Sequence, residues 1–162
     1  MSAAFMEALL EDDFAGAEAD AGVALPEFFR AERWGHLRHR LGMVRADPDA
    51  LDWLTRLMVL RDTGQAVGHI GFHEPPHPQG WVEVGYTVFP EHRRRGYAEE
   101  AVRGLFDWAC GERGVCRFRA SVGPWNRPSL ALVRKLGFEQ TGVQVDELDG
   151  EELVFEVDWP KA

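Results

Sequence analysis

Val84-Gly85-Tyr86-Thr87-Val88-Phe89-Pro90-Glu91-His92-Arg93-Arg94-Arg95-Gly96-Tyr97-Ala98 is the stretch on which the reading of this chain turns. Apolar and polar residues alternate up to Phe89 as in a strand, and Pro90 ends the run because it has no N–H for a ladder. Further on, Ala98, Ala101, Val102, Leu105, Phe106 and Ala109 recur at i, i+3, i+4, i+7, i+8 and i+11, which predicts a helix over 96–112. A strand thus leads through three arginines and a glycine straight into a helix N-terminus. Such an end exposes unpaired N–H groups and partial positive charge, so it suits an anion. The arginines are locally unfavourable there. A cation near the positive end of a helix costs about 0.3–1 kcal/mol, whereas a charge-assisted bond to a phosphate contributes ~1.5–3 kcal/mol. With a pyrophosphate bound the arrangement is consistent, and Gly96, lacking a Cβ, lets the backbone come close to it.

Outward from this segment the chain reads as α/β. Downstream, 115–122 is a strand, 126–136 a helix closed by Gly137, and 140–148 with 151–159 a hairpin around Asp149-Gly150. Upstream, 57–61 and 66–73 form a hairpin across Asp62-Thr63-Gly64-Gln65, and 74–80 is a loop because its three prolines remove ladder donors. The first 50 residues read as helical, with one helix over 8–21 and a second from Pro26 through Leu41. Strands and helices alternate in the later part, which predicts a mixed sheet flanked by helices. At 162 residues, a single domain over 1–162 is expected, with a helical part at 1–50 and the sheet core at 57–159.

Charge narrows the function. With 18 Lys and Arg against 27 Asp and Glu the net charge is −9, which disfavours a nucleic-acid binder. Residues 1–29 hold seven acids and no Lys or Arg, and 139–162 hold eight acids against Lys161 alone. The middle, 30–138, is left with 17 basic and 12 acidic residues. A small anionic ligand in the centre and a cationic one near the ends would fit this distribution. No apolar run approaches the ~18 residues of a spanning helix, so no membrane role is expected. Cys110 and Cys116 do not make a disulfide framework, and Cys110 reads as a small apolar side chain, so a reducing cytoplasmic setting is the expectation.

A second motif is Asn126-Arg127-Pro128-Ser129, followed by Lys135-Leu136-Gly137-Phe138. Asn126 is a good N-cap, Pro128 suits the first turn, and the Ser129 hydroxyl falls at the helix's positive end. Together the two segments resemble the GNAT superfamily of N-acetyltransferases. Arg93-x-x-Gly96-x-Ala98 matches its [Gln/Arg]-x-x-Gly-x-[Gly/Ala] acetyl-CoA loop. Asn126-x-x-Ser129, Leu136-Gly137-Phe138 and Glu83-Val84-Gly85-Tyr86 are similar to the RimJ/RimL-like branch, the ribosomal-protein N-terminal acetyltransferase type. The resemblance covers about 57–159.

The resemblance implies a mixed, largely antiparallel central sheet, splayed where acetyl-CoA binds. Thr87 and Val88 would offer backbone groups to the pantetheine arm, and Arg93, Arg94, Arg95, Gly96, Tyr97 and Ala98 would surround the pyrophosphate. Asn126 would contact the pantetheine, and Ser129 would lie near the sulfur, able to protonate a thiolate of solution pKa ~8.5. One position departs from the branch: Glu99 stands where Thr is common, and a carboxylate there suits the helix dipole but not an adjacent phosphate, so either it points outward or cofactor affinity suffers. The implied reaction is direct attack of a primary amine on acetyl-CoA, the co-substrate. The acceptor would be a protein or peptide N-terminus or a small cationic amine, and a homodimer is common among similar proteins. The alternative is a degenerate CoA-binding sensor or interaction module.

An amine must be neutral to attack. An α-amine with pKa ~7.7–8.0 is roughly a tenth free at pH 7, so it needs little more than a water path. Glu83, on the strand leading into the loop, is the first candidate base, with Asp146, Glu147 and His73 as rivals. His36 with His39, and His73 with His77, lack matching Cys or acidic ligands, so no metal is expected. The six tryptophans read mostly as core, with Trp125 a candidate lining for the acceptor cleft.

Overall fold

The computed structural model describes residues 1–31, 34–146 and 150–160. Its elements are α1 (Ala3–Leu10), α2 (Phe14–Ala21), α3 (Glu27–Ala31), α4 (His36–Ala46), β1 (Arg56–Val59), β2 (Ala66–Phe72), β3 (Trp81–Val88), α5 (Tyr97–Arg113), β4 (Arg117–Val122), α6 (Arg127–Lys135), β5 (Glu139–Asp146) and β6 (Gly150–Asp158). Short 3-10 turns stand at Pro48–Asp52 and Pro90–His92. The strands follow the order β1-β2-β3-β4-β6-β5. The β1–β2, β4–β6 and β5–β6 pairs are antiparallel and β3–β4 is parallel, which is the mixed, largely antiparallel sheet expected.

By contacts the chain forms two compact units, Met1–Pro75 with Tyr86–Tyr97, and Pro76–Gly85 with Ala98–Ala162. In the first unit the helical segment departs from the expected two helices. Asp12 takes a left-handed conformation (φ 57°) after α1, and the Asp13 carboxylate caps α2 by accepting from Gly16 N at 2.9 Å. The chain is thereby re-aimed within three residues, where periodicity alone suggests one continuous helix. The expected second helix is likewise divided into α3 and α4. Phe5, Phe29, Leu37, Leu41 and Leu54 make the core of this unit, and Phe89 joins them directly after β3. Its ring meets Phe29 edge to face at 5.7 Å and Phe28 at 5.4 Å. Burying a Phe here stabilises by roughly 1.5–3 kcal/mol and fixes where β3 ends.

In the second unit, helix α5 buries Val102, Leu105, Phe106 and Ala109, the stripe read from the sequence. Phe106 stacks on Phe118 of β4 with centroids 3.7 Å apart, and its edge meets Trp159 at 5.5 Å. Leu130 and Val133 of α6, with Phe138, Phe155 and Val157, complete a buried apolar set. Gly137 closes α6 in a left-handed conformation (φ 83°), as its place after Leu136 predicts. The tryptophans do not follow expectation: among the six only Trp34 is buried, and Trp125 is 72% exposed. The cysteines differ too. Cys110 and Cys116 are joined by a disulfide, because the turn through Gly114 (φ 70°) brings the end of α5 beside the start of β4, with the two Cα atoms 4.5 Å apart. Among the described residues no helix is long and apolar enough to cross a membrane.

Candidate functional site

Within the first unit, the end of β3 and the arginine loop are built as one piece. Gly68 of β2 lies so close to β3 that a Cβ there would stand 2.2 Å from the Thr87 carbonyl oxygen. Val67 O accepts from Phe89 N at 2.9 Å. After the buried Phe89, the turn at Pro90–His92 reverses the chain, with His92 N donating to Phe89 O at 2.9 Å. Arg93 then reaches back, and its Nε donates to the Val88 carbonyl at 2.9 Å. This arginine therefore ties the loop to the strand end, leaving only its terminal nitrogens for a ligand. Arg94 and Gly96 both adopt left-handed backbone, φ 62° and 85°. For a residue with a Cβ that conformation costs about 1–2 kcal/mol. Arg93, Arg94 and Arg95 are exposed, and among the described residues no carboxylate pairs with Arg94 or Arg95.

His92 was not read from the sequence as special. It is 7% exposed, and among the described residues neither ring nitrogen has a hydrogen-bond partner. An unpaired buried donor costs ~1–3 kcal/mol, a penalty that a bound acceptor at this loop would relieve. The donor set of this loop, cationic and rich in N–H, fits a diphosphate.

Within the second unit, Asn126 caps α6 as expected: its Oδ1 accepts from Ser129 N at 3.3 Å. The cap holds Ser129 in the first turn, half-buried, and leaves the Asn126 amide nitrogen outside the cap. Ala98 and Glu99 occupy the first turn of α5. The Glu99 carboxylate accepts from Lys135 Nζ at 2.5 Å and from Arg103 Nη2 at 3.1 Å. The Lys135 bond first, and then Arg103, hold the carboxyl below the ordinary carboxylate range. The branch-atypical residue is thus engaged by two cations of its own unit, one of them from the end of α6, and its charge is balanced.

One face of this unit's sheet is polar, which little in the linear pattern announces. The β3–β4 ladder runs over three pairs, Trp81 with Arg117 through Glu83 with Arg119. Arg119 lies over the Trp81 ring at 4.0 Å and donates to Glu156 from Nε at 3.1 Å and from Nη2 at 2.7 Å. Glu83 stands half-buried on this face, level with Arg119. Further along, Gln144 Nε2 donates both to Ser121 Oγ and to Glu152 Oε2, each at 3.0 Å. Of the rival bases, Asp146 is half-buried at the end of β5, His73 is exposed just after β2, and Glu147 lies outside the described residues. The candidates therefore divide: Thr87, Val88 and Arg93 to Tyr97 come together in the first unit, and Glu83, Ala98, Asn126 and Ser129 belong to the second. Gly68, His92, Ser121, Gln144 and Glu152 escaped the sequence reading, because each depends on a partner on another strand or on burial.

Comparison with known proteins bears on the family and the fold. Residues 11–139 match the family model described as an acetyltransferase (GNAT) domain. An uncharacterised N-acetyltransferase of Bacillus subtilis, YoaA, is 36% identical over 83 residues, 51% of this chain and 47% of that protein. The human alpha/beta-tubulin-N-acetyltransferase 9 is 34% identical over 61 residues, 38% of this chain and 29% of its own length. The matched segment spans about half the length of the first bacterial relatives. Among solved structures, the ribosomal-protein-S5-alanine acetyltransferase of Vibrio fischeri superposes with a TM-score of 0.64 at 18% identity, over 98% of this chain and 88% of that one. A spermidine/spermine N-acetyltransferase of Vibrio cholerae gives 0.62 at 13% identity, over 75% and 76%. At such identities the likeness is one of fold.

Proposed function

The chain belongs to the GNAT acetyltransferase family, and from that premise we propose that it transfers the acetyl group of acetyl-CoA to a primary amine by direct attack, without an acyl-enzyme. The observation that carries the reading is the arginine loop: exposed cations that find no acidic partner and a buried imidazole that finds no partner among the described residues, and a non-glycine residue in left-handed backbone, all beside the end of β3. Acetyl-CoA, when bound, supplies an activated thioester. Arg94, Arg95 and the terminal nitrogens of Arg93 would neutralise its diphosphate, with Gly96, Tyr97 and Ala98 providing N–H donors. The backbone of Thr87 and Val88 would hold the pantetheine arm, with Asn126 contributing its free amide. Ser129 would donate a proton toward the departing sulfur, and Glu83, directly or through water, would take the proton of the attacking amine. Two acidic chain ends and a basic centre support a cationic acceptor, either a protein N-terminus or a small amine. The alternative of a non-catalytic CoA-binding module rests on Glu99, and the Lys135 and Arg103 contacts that balance this carboxylate favour a working loop.

The test is calorimetric titration of acetyl-CoA and of CoA into the nucleotide-free protein, followed by an amine panel with thiol detection. Binding that favours the acetylated form, with thiol release on adding an amine, is expected. Equal affinity for both forms with no turnover would establish the non-catalytic alternative, and absence of binding would remove the cofactor reading.

A further inference from the structure

The polar sheet face of the second unit carries an ordered series of charges that breaks at one end. Register places Arg117 opposite Asp158 and Arg119 opposite Glu156, and both pairs are ion pairs, at 3.1 and 2.7 Å. Two residues further along β4 the cation is missing: the next residue on that face is Ser121. Two residues further along β6 from Val154, Glu152 stands opposite Gln144. The carboxylate is here held by an amide instead of a guanidinium. Gln144 uses both hydrogens of its Nε2, one on Ser121 Oγ and one on Glu152 Oε2. Its orientation follows from chemistry, because a carboxylate can only accept and so must face the nitrogen. Glu152 is half-buried, and among the described residues no Lys, Arg or His pairs with it. A carboxylate that is oriented, partly desolvated and without a counter-cation is a receptor for a cation.

A second observation comes from the strand's end. The indole of Trp125 lies where a Cβ on Gly123 would project, its Nε1 2.7 Å from that position, yet Trp125 is 72% exposed. Gly123 is two residues past Ser121, so a large aromatic surface is seated at the end of the same strand and left open to a ligand. Aromatic faces attract ammonium groups by ~0.5–1 kcal/mol when exposed and more when desolvated.

We propose that the Ser121–Gln144–Glu152 relay is the acceptor-recognition site: Glu152 binds an ammonium group of a cationic primary amine, Gln144 positions the carboxylate, and Trp125 receives the acceptor's carbon skeleton. The inference rests on the acetyltransferase reading for its acceptor, but the recognition itself does not require acetyl-CoA. Gln144 and Ser121 are positioning residues, and Glu152 determines specificity.

The test uses the full chain with 15N-labelled glutamine, which reports the Gln144 side-chain amide directly. Spermidine, n-butylammonium and a tripeptide amide with a free N-terminus serve as probes. At least one probe is expected to move the Gln144 amide signals at millimolar concentration in the wild type, and not in Glu152→Gln. That variant retains an acceptor for Gln144, so its fold is preserved. For whichever amine is acetylated, Glu152→Gln is expected to raise the acceptor KM about tenfold, ~1.4 kcal/mol. kcat and the acetyl-CoA Kd would stay within twofold, and Trp125→Ala would move KM in the same direction. Signals unmoved by all three probes, or a Glu152→Gln KM within twofold of wild type, would overturn the proposal. If acetyl-CoA fails to bind while the Gln144 signals respond to an amine, the enzymatic reading falls and the amine site stands.

Discussion

Ser129 and Glu99 show how far a single side chain can be read and where it needs its neighbours. The hydroxyl of Ser129 is placed by the Asn126 cap, a local device fully written in four consecutive residues. Ser129→Ala is expected to lower kcat by about ten- to a hundredfold, at or below the bottom of the range for a positioned acid, since a thiolate is already a fair leaving group. The acetyl-CoA Kd should stay within twofold, and steady-state kinetics with calorimetry separate the two. Glu99 is different, because its partner Lys135 lies 36 residues away and no local pattern announces it. Its carboxyl is held below the ordinary range, so the stability it contributes is present above that range and is lost as pH falls through the depressed folded-state value. Glu99→Gln should therefore lower the urea midpoint at neutral pH. The difference from wild type should shrink as pH falls below the ordinary carboxylate range and vanish once the folded-state carboxyl is itself protonated.

At the scale of elements, the β2–β3 approach and the α5–β4 junction are two places where backbone geometry fixes how neighbouring elements meet. Gly68 permits β3 to lie against β2, and a methyl group there would meet the Thr87 carbonyl, a backbone atom that cannot swing aside. Gly68→Ala should cost about 3 kcal/mol, the upper end for overpacking. It should also weaken acetyl-CoA binding by displacing Thr87 and Val88, and denaturant unfolding with calorimetry checks both. At the other junction, Cys110 and Cys116 enclose a short segment between α5 and β4. Opening so small a loop should cost about 2 kcal/mol, read as the change in urea midpoint with and without dithiothreitol. The elements themselves were legible where periodicity was long: α5, β3, α6 and the final hairpin stand within one to three residues of expectation. The N-terminal helices were not, because Asp12 in left-handed backbone and the Asp13 cap break a pattern whose apolar spacing continues across them.

For the whole molecule, a net charge of −9 acts on any charged acceptor before contact is made. With a cationic amine, kcat/KM should fall roughly several-fold as ionic strength rises from ~0.01 to ~0.15 M, since the Debye length shrinks from ~30 to ~8 Å. An uncharged aryl amine should show little change under the same titration. The sequence by itself determined the fold class, the arginine loop, the cap at Asn126 and the acidic balance. Each of these follows from residues adjacent in the chain or repeating at a fixed period, where local sterics and hydrogen bonding suffice. Only the tertiary structure decided that Arg93 braces Val88, that His92 is buried without a partner, that Glu99 is paired with Lys135, and that Gln144 joins Ser121 to Glu152. These facts depend on strand register and on water exclusion, which are properties of the folded chain and of no single segment within it.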